Sequence, residues 1–223
     1  MAARVPYDST YQKLCSLRFE LPQLIPLTKP NGGHGAALLY GYRYALKKNA
    51  DYIFQTDSDG QTLPQEFPKF WSRRQEMGAV IGYRSHREDG FSRVVVTKVL
   101  KLVLRIIFGL EVTDANAPYR LMKKELLEKY IPQIPKNFNL SNVMLTVLFL
   151  YNHEKVEFIP ITFRSRQGGV NSINLKNITK IGIQAVRDFR KIKKKMKKGG
   201  TKKGFGESRL RKREKEMGQP GNL

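Results

Sequence analysis

Two carboxylates one residue apart close an apolar run at Asp57-Ser58-Asp59. The residues before them, Asp51–Thr56 (DYIFQT), have the aromatic and β-branched character of a short strand, and Gly60 stops it at once. At the C-terminal edge of a parallel strand such acids face the crevice where α/β proteins bind ligands. A turn there lets alternate side chains converge on one cation. A hard divalent ion held by one or two carboxylates completes its shell with substrate phosphates. It then neutralises charge that builds on a diphosphate leaving group. The same four residues are also ordinary turn chemistry, so the tripeptide alone leaves both readings open.

Three other segments add polar chemistry. Asn31-Gly32-Gly33-His34-Gly35-Ala36-Ala37 opens a helix. Its small residues let backbone approach a ligand or the sheet, and helix N-termini favour anions. Val112–Arg120 (VTDANAPYR) sets Asp114 and Arg120 around a loop, where an aspartate could equally be a cap. Phe163–Ser172 (FRSRQGGVNS) places Arg164, Arg166 and two glycines in one stretch. A guanidinium grips phosphate oxygens through a two-pronged fork, although a solvated charged loop would read the same way.

The elements that must carry these residues alternate. Helices are expected over Asp8–Arg18, His34–Lys48, Leu63–Glu76 (entered through Pro64), Ser92–Phe108 and Leu140–Tyr151. Strands are expected at Leu24–Leu27, Asp51–Thr56, Ala79–Tyr83 and Val156–Arg164, and Tyr119–Lys129 reads as strand then helix. Ser85–Phe91, Val112–Pro118 and Ser165–Asn174 read as loops. This alternation implies an α/β domain with a mostly parallel central sheet flanked by helices. A long helix over Asn177–Lys198 grows basic, and from Gly199 the composition is that of a disordered tail.

The 223 residues carry 41 Lys and Arg against 19 Asp and Glu, a net charge of +22. From Arg187 to Glu216 there are 15 basic and 4 acidic residues, so half the surplus lies in the last stretch. Such charge concerns partners rather than fold, and an anionic substrate, lipid surface or nucleic acid would suit it. The tail lacks interleaved aromatics and no recognition-module signature appears, which leaves specific nucleic-acid binding as the weaker rival. Single Cys15 excludes a disulfide framework and fits a reducing compartment. Met1–Thr10 has no apolar core of a signal peptide, and no run of about 18 apolar residues occurs. The expected location is cytoplasmic, or peripheral on the cytoplasmic face of a membrane. Phe189, Ile192 and Met196 recur at helical spacing among the cations, as in an interfacial helix.

NGGHGAAL, the strand followed by DSDGQTLPQEF, VIGYR, GLEVTDANAPYRLMKKELL and ITFRSRQGGVNSI occur in the order and approximate spacing of family-2 glycosyltransferases. The chain resembles the branch that includes dolichyl- and polyprenyl-phosphate sugar transferases and bacterial surface-polysaccharide enzymes, over roughly residues 8–180. The resemblance implies a GT-A fold and a metal-dependent, inverting transfer of a sugar from a nucleotide-sugar donor to a polyprenyl phosphate or glycan. It implies Asp57 and Asp59 as ligands of Mg2+ or Mn2+, with Asn31, Gly32, Gly33 and Ser58 beside the donor. Asp114 becomes the acceptor-side acid, a candidate general base, in a segment where Ala117 and Pro118 replace the family's usual glycine. Arg84, Arg93, Arg120, Arg164 and Arg166 are implied to face phosphates or acceptor.

The beginning departs from the family pattern. Asp8-Ser9-Thr10-Tyr11 matches the tail of a motif that ordinarily follows a first strand and a nucleotide loop. The expected organisation is therefore a GT-A-like domain over 1–180, incomplete at its N-terminus, a basic amphipathic helix over 181–198 and a basic tail over 199–223. The alternatives are a non-catalytic family remnant and a chain whose site a partner completes.

Overall fold

The computed structural model describes residues 9–84, 91–136, 138–164, 182–194 and 196, with 91–95 described by backbone alone. Two compact units divide the chain, Met1–Ser172 and Ile173–Leu223. In the second unit the described residues, 182–194 and 196, are helical. Arg166 and most of the basic tail lie outside the described residues.

The first unit is built on four strands: β1 (Tyr52–Gln55), β2 (Ala79–Arg84), β3 (Arg120–Lys123) and β4 (Val156–Ile161). Their order across the sheet is β1-β3-β2-β4. β2 and β4 pair in parallel, and β3 lies antiparallel between β1 and β2. Three strands thus share one direction, as the alternating pattern implies, with one reversed strand among them. The register opposes both Gln55 and Ile81 to Arg120, and Arg84 to Ile161. The residues after β1, β2 and β4 and those before β3 consequently meet at one edge of the sheet.

Helices cover both faces. Strand residues alternate sides, so Tyr52 and Phe54 of β1 and Leu121 of β3 point one way. There Phe70 of α3 (Phe67–Ser72) packs with Val80, Tyr119, Leu121 and Ile161. The rings of Phe54 and Phe70 meet Tyr119 edge-on at 4.7 and 4.9 Å, an arrangement that adds to simple burial. The opposite face carries Ile53, Gln55, Ile81, Arg120 and Met122. There Tyr42 of α2 (Gly33–Lys47) reaches Gln55, Asn142 and Thr146 of α6 (Ser141–Tyr151) reach Arg120, and α5 (Lys124–Tyr130) packs against both helices. All of Ser141–Phe149 is buried, which explains an apolar run without amphipathic period.

Two expected elements change. Leu24–Leu27 forms no strand beyond an isolated bridge at Leu27, because Pro22 and Pro26 take donors out of any ladder. Over Leu63–Glu76 the chain forms a 3-10 turn at Pro64–Glu66 and then α3, ending at Ser72. α1 (Thr10–Leu17) buries none of its residues. α4 (Phe91–Phe108) buries Leu104, Ile107 and Phe108.

Candidate functional site at the sheet edge

The loop after β1 is strapped down at several points. Asp59 Oδ1 accepts from the Gln61 amide at 3.2 Å, closing a local turn, as aspartate side chains commonly do. Thr56 and Thr62 hydroxyls meet at 2.9 Å across the loop. Gln61 binds Arg164 twice: its Nε2 donates to the Arg164 carbonyl at 2.9 Å and its own carbonyl accepts the Arg164 amide at 2.8 Å. Buried Glu66 accepts the Thr162 amide at 3.0 Å. The acids after β1 are therefore fixed to the end of β4. Arg164 takes part through its backbone, and its side chain is exposed.

Asp57 is half-buried. Burial raises its pKa above the ordinary carboxylate value; His34 draws it back, Asp59 raises it further, and Arg84 and Arg120 lower it. These influences bring four distant segments to one place. His34, absent from the sequence-based candidates, belongs to the NGGHG segment at the start of α2. In that segment Asn31 Oδ1 accepts the Gly33 amide at 3.1 Å, and Gly33 has φ +84°, a conformation that glycine adopts without strain. A Cβ on Gly35 would stand 2.1 Å from the Phe138 carbonyl oxygen. The glycines here thus bring the start of α2 onto residues 138–139.

Arg84 and Asp114 meet each other. Arg84 Nε lies 2.7 Å from Asp114 Oδ2, and Nη2 lies 2.9 Å from Oδ1. Both are largely buried, and the Asn116 amide also donates to Asp114 Oδ1 at 3.3 Å. The Arg84 guanidinium lies 5.1 Å from the centre of the Phe163 ring, within reach of a cation–π attraction. Both oxygens of this carboxylate are thus engaged in charge-assisted hydrogen bonds.

Arg120 is placed differently from the expectation of a phosphate-facing arginine. It is fully buried, on the α2/α6 side of β3. Its nitrogens donate to the carbonyls of Ala117 (2.7 Å), Asn142 (3.2 Å) and Ala115 (3.3 Å). As placed, it presents no surface to a ligand. Burial pulls its pKa down, while Tyr42, Asp114 and Asp57 push it up. Next to it, Tyr42 donates its hydroxyl to Gln55 Oε1, and Gln55 Nε2 is buried with no hydrogen-bond partner among the described residues. Arg93 lies among residues 91–95 at the start of α4, which are described by backbone alone.

Asp57, Asp59, His34, Arg84 and Asp114 thus gather where β1 and β2 end and β3 begins. Among the described residues no group of three or more His, Cys, Asp and Glu side chains is arranged around a single point. No helix among them is long and apolar enough to cross a membrane.

No family model matches the chain. It is 27% identical over 154 residues to the polyprenol monophosphomannose synthase of Mycolicibacterium smegmatis, covering 66% of this chain and 58% of that protein. It is also 27% identical over 168 residues to the undecaprenyl-phosphate mannosyltransferase of Micrococcus luteus, covering 69% and 68%. The fold resembles that of glucosyl-3-phosphoglycerate synthase from Mycobacterium tuberculosis, crystallised with Mn2+ and UDP-glucose. The TM-score is 0.54 at 16% identity, over 83% of this chain and 64% of that one. The chain therefore spans less than two thirds of the mycobacterial relative and of that structural neighbour. Sequence likeness and fold agree: the chain is similar in sequence to polyprenyl-phosphate sugar transferases, and its fold is that of the GT-A glycosyltransferases.

Proposed function

We propose that the site transfers a sugar from a nucleotide-sugar donor to a polyprenyl phosphate, with a divalent metal at Asp57 and Asp59. The observation that carries this reading is the meeting at one edge of the sheet of Asp57 and Asp59 after β1, Arg84 at the end of β2 and Asp114 before β3. The relatives named for polyprenol and undecaprenyl phosphate support the acceptor class. The neighbour crystallised with Mn2+ and UDP-glucose supports a metal and a nucleotide sugar.

The residues fit a hard cation. Two carboxylates stand one residue apart, and burial and mutual repulsion disfavour charge on Asp57, a cost that a bound cation would offset. Too few protein ligands surround them for a closed cage, which suits an ion that shares its shell with phosphates. Bound there by Asp57 and Asp59, Mg2+ or Mn2+ would supply charge neutralisation to the departing diphosphate. Asn31, Gly32 and Gly33 would bring backbone amides to the donor with Ser58 beside them, while Arg164, exposed just after β4, and Arg166 would face phosphates.

The displacement would proceed with inversion: an acceptor oxygen forms the new bond to the anomeric carbon as the bond to the diphosphate oxygen breaks. A hydroxyl acceptor would need a base, and Asp114 is held by Arg84 through both oxygens. A phosphate acceptor is already anionic and needs none. The pair thus favours the lipid-phosphate reading, with Asp114 orienting Arg84 toward an incoming phosphate rather than taking a proton. Arg93 could add a second cation on the acceptor side.

α4 suits a lipid substrate. Val96, Val99, Leu102 and Ile106 form an exposed stripe, with Ile106 71% exposed. Exposed Lys98, Lys101 and Arg105 run along its side. Apolar side chains bordered by cations match the surface of an anionic bilayer, which supports peripheral attachment.

The test is transfer of labelled sugar from a panel of nucleotide sugars to undecaprenyl phosphate in anionic vesicles. Product should form with Mn2+ or Mg2+, vanish with chelator and return with metal. Transfer unaffected by chelation, or transfer only to free glycans, would remove the reading.

A further inference from the structure

Arg120 is a guanidinium without surface exposure, in the reversed strand at the centre of the sheet. Among the described residues no carboxylate lies within ion-pair distance of it. Burying a charge in this way is costly unless its hydrogen bonds are met. They are met by carbonyls, and two of these, Ala115 and Ala117, bracket the residue whose amide binds Asp114. The remaining bonds reach α6, at the Asn142 carbonyl (3.2 Å) and the Thr146 hydroxyl (3.5 Å). Thr146 Oγ1 itself lies 3.1 Å from the Ala115 carbonyl oxygen.

We propose that Arg120 is a positioning residue for the acceptor-side loop: its buried fork fixes residues 115–117 to β3 and α6, and so aims the Asp114–Arg84 pair. This rests on the proposed function for what the pair meets, but not for the fixing itself. An apolar side chain at 120 would leave the Ala117 carbonyl without its guanidinium donors and the Ala115 carbonyl with the Thr146 hydroxyl in place of two donors. Lysine would keep the charge but lacks the planar fork that spans two carbonyls at once. The position of Arg120 opposite Gln55 and Ile81 anchors the loop to the strands that end at Asp57 and Arg84.

The test compares the full chain with Arg120→Lys by hydrogen–deuterium exchange, Mn2+ binding and binding of undecaprenyl phosphate in detergent micelles. Amide exchange over 112–118 should quicken about tenfold or more, the equivalent of one lost charged hydrogen bond. Affinity for undecaprenyl phosphate should fall by a similar factor while Mn2+ affinity stays within about twofold, since Asp57 and Asp59 lie on another loop. A variant matching the parent in exchange and in acceptor binding would overturn the proposal. So would a uniform rise in exchange with both affinities falling together, the sign of general destabilisation. Should Arg120→Lys fail to fold, Thr146→Val, which removes one tether of the Ala115 carbonyl, carries the same comparison. If the parent chain does not bind undecaprenyl phosphate, the acceptor reading fails, and the exchange over 112–118 alone decides the positioning role.

Discussion

Asp57 stands at a point where burial and Asp59 oppose its charge and His34, Arg84 and Arg120 favour it. Its pKa is raised on balance, so the protonated form suits the fold better. Stability is then lost as pH rises from the ordinary carboxylate value through the raised one. Asp57→Asn should accordingly raise the thermal midpoint at neutral pH and change it little in acid, while weakening metal binding. A variant less stable at neutral pH would contradict this. Arg84 and Asp114 pose the opposite case. Arg84→Met strands a buried carboxylate and should cost about 3 kcal/mol in denaturant unfolding. Arg84→Met with Asp114→Leu should recover a large part of it; no recovery would show that the pair is not what the loss reports. The residue types at 57, 59, 84 and 114 were legible in the sequence because motif order alone marks them. The roles of Arg120 and His34 were not. A sequence gives Arg120 its type and position but not the face of β3 it occupies. His34 read as the first residue of a helix, and nothing in its sequence neighbourhood sets it within electrostatic reach of Asp57.

At the scale of elements, the helices were readable wherever burial is one-sided or complete, as in α2, α4 and α6. Strand direction was not, because the two-residue period of β3 is the same in either direction. Its reversal between β1 and β2 is what brings Asp114 to the edge where Asp57 lies. The entry of α2 depends on the absence of a side chain at Gly35, against the backbone of 138 and 139. Gly35→Ala should therefore destabilise the unit by about 1–3 kcal/mol, read from the midpoint of denaturant unfolding. An unchanged midpoint would mean that α2 does not pack as described. Lys98, Lys101 and Arg105 fall together on one face of α4, alongside its exposed apolar stripe. Ile106→Glu should reduce sedimentation with anionic vesicles several-fold and leave unfolding unchanged. Equal sedimentation by the variant would shift membrane attachment to the charge of the tail.

At the scale of the molecule, a net charge of +22 on 223 residues draws the chain toward anions of every kind. Charge alone could not separate lipid, nucleic acid and nucleotide sugar. The proposed reading rests instead on geometry, on strands that bring Asp57, Asp59, Arg84 and Asp114 to one edge. The motifs that carry the resemblance in the sequence, the strand–DSDGQ junction and the TD…YR segment, both lie at that edge. The measurement that tests the central claim is calorimetric binding of nucleotide sugars with and without Mn2+, for the parent chain, Asp57→Ala and Asp59→Ala. The account predicts Mn2+-dependent binding by the parent and a loss of about tenfold or more in either variant. Binding that ignores Mn2+, or that both variants retain in full, would contradict it.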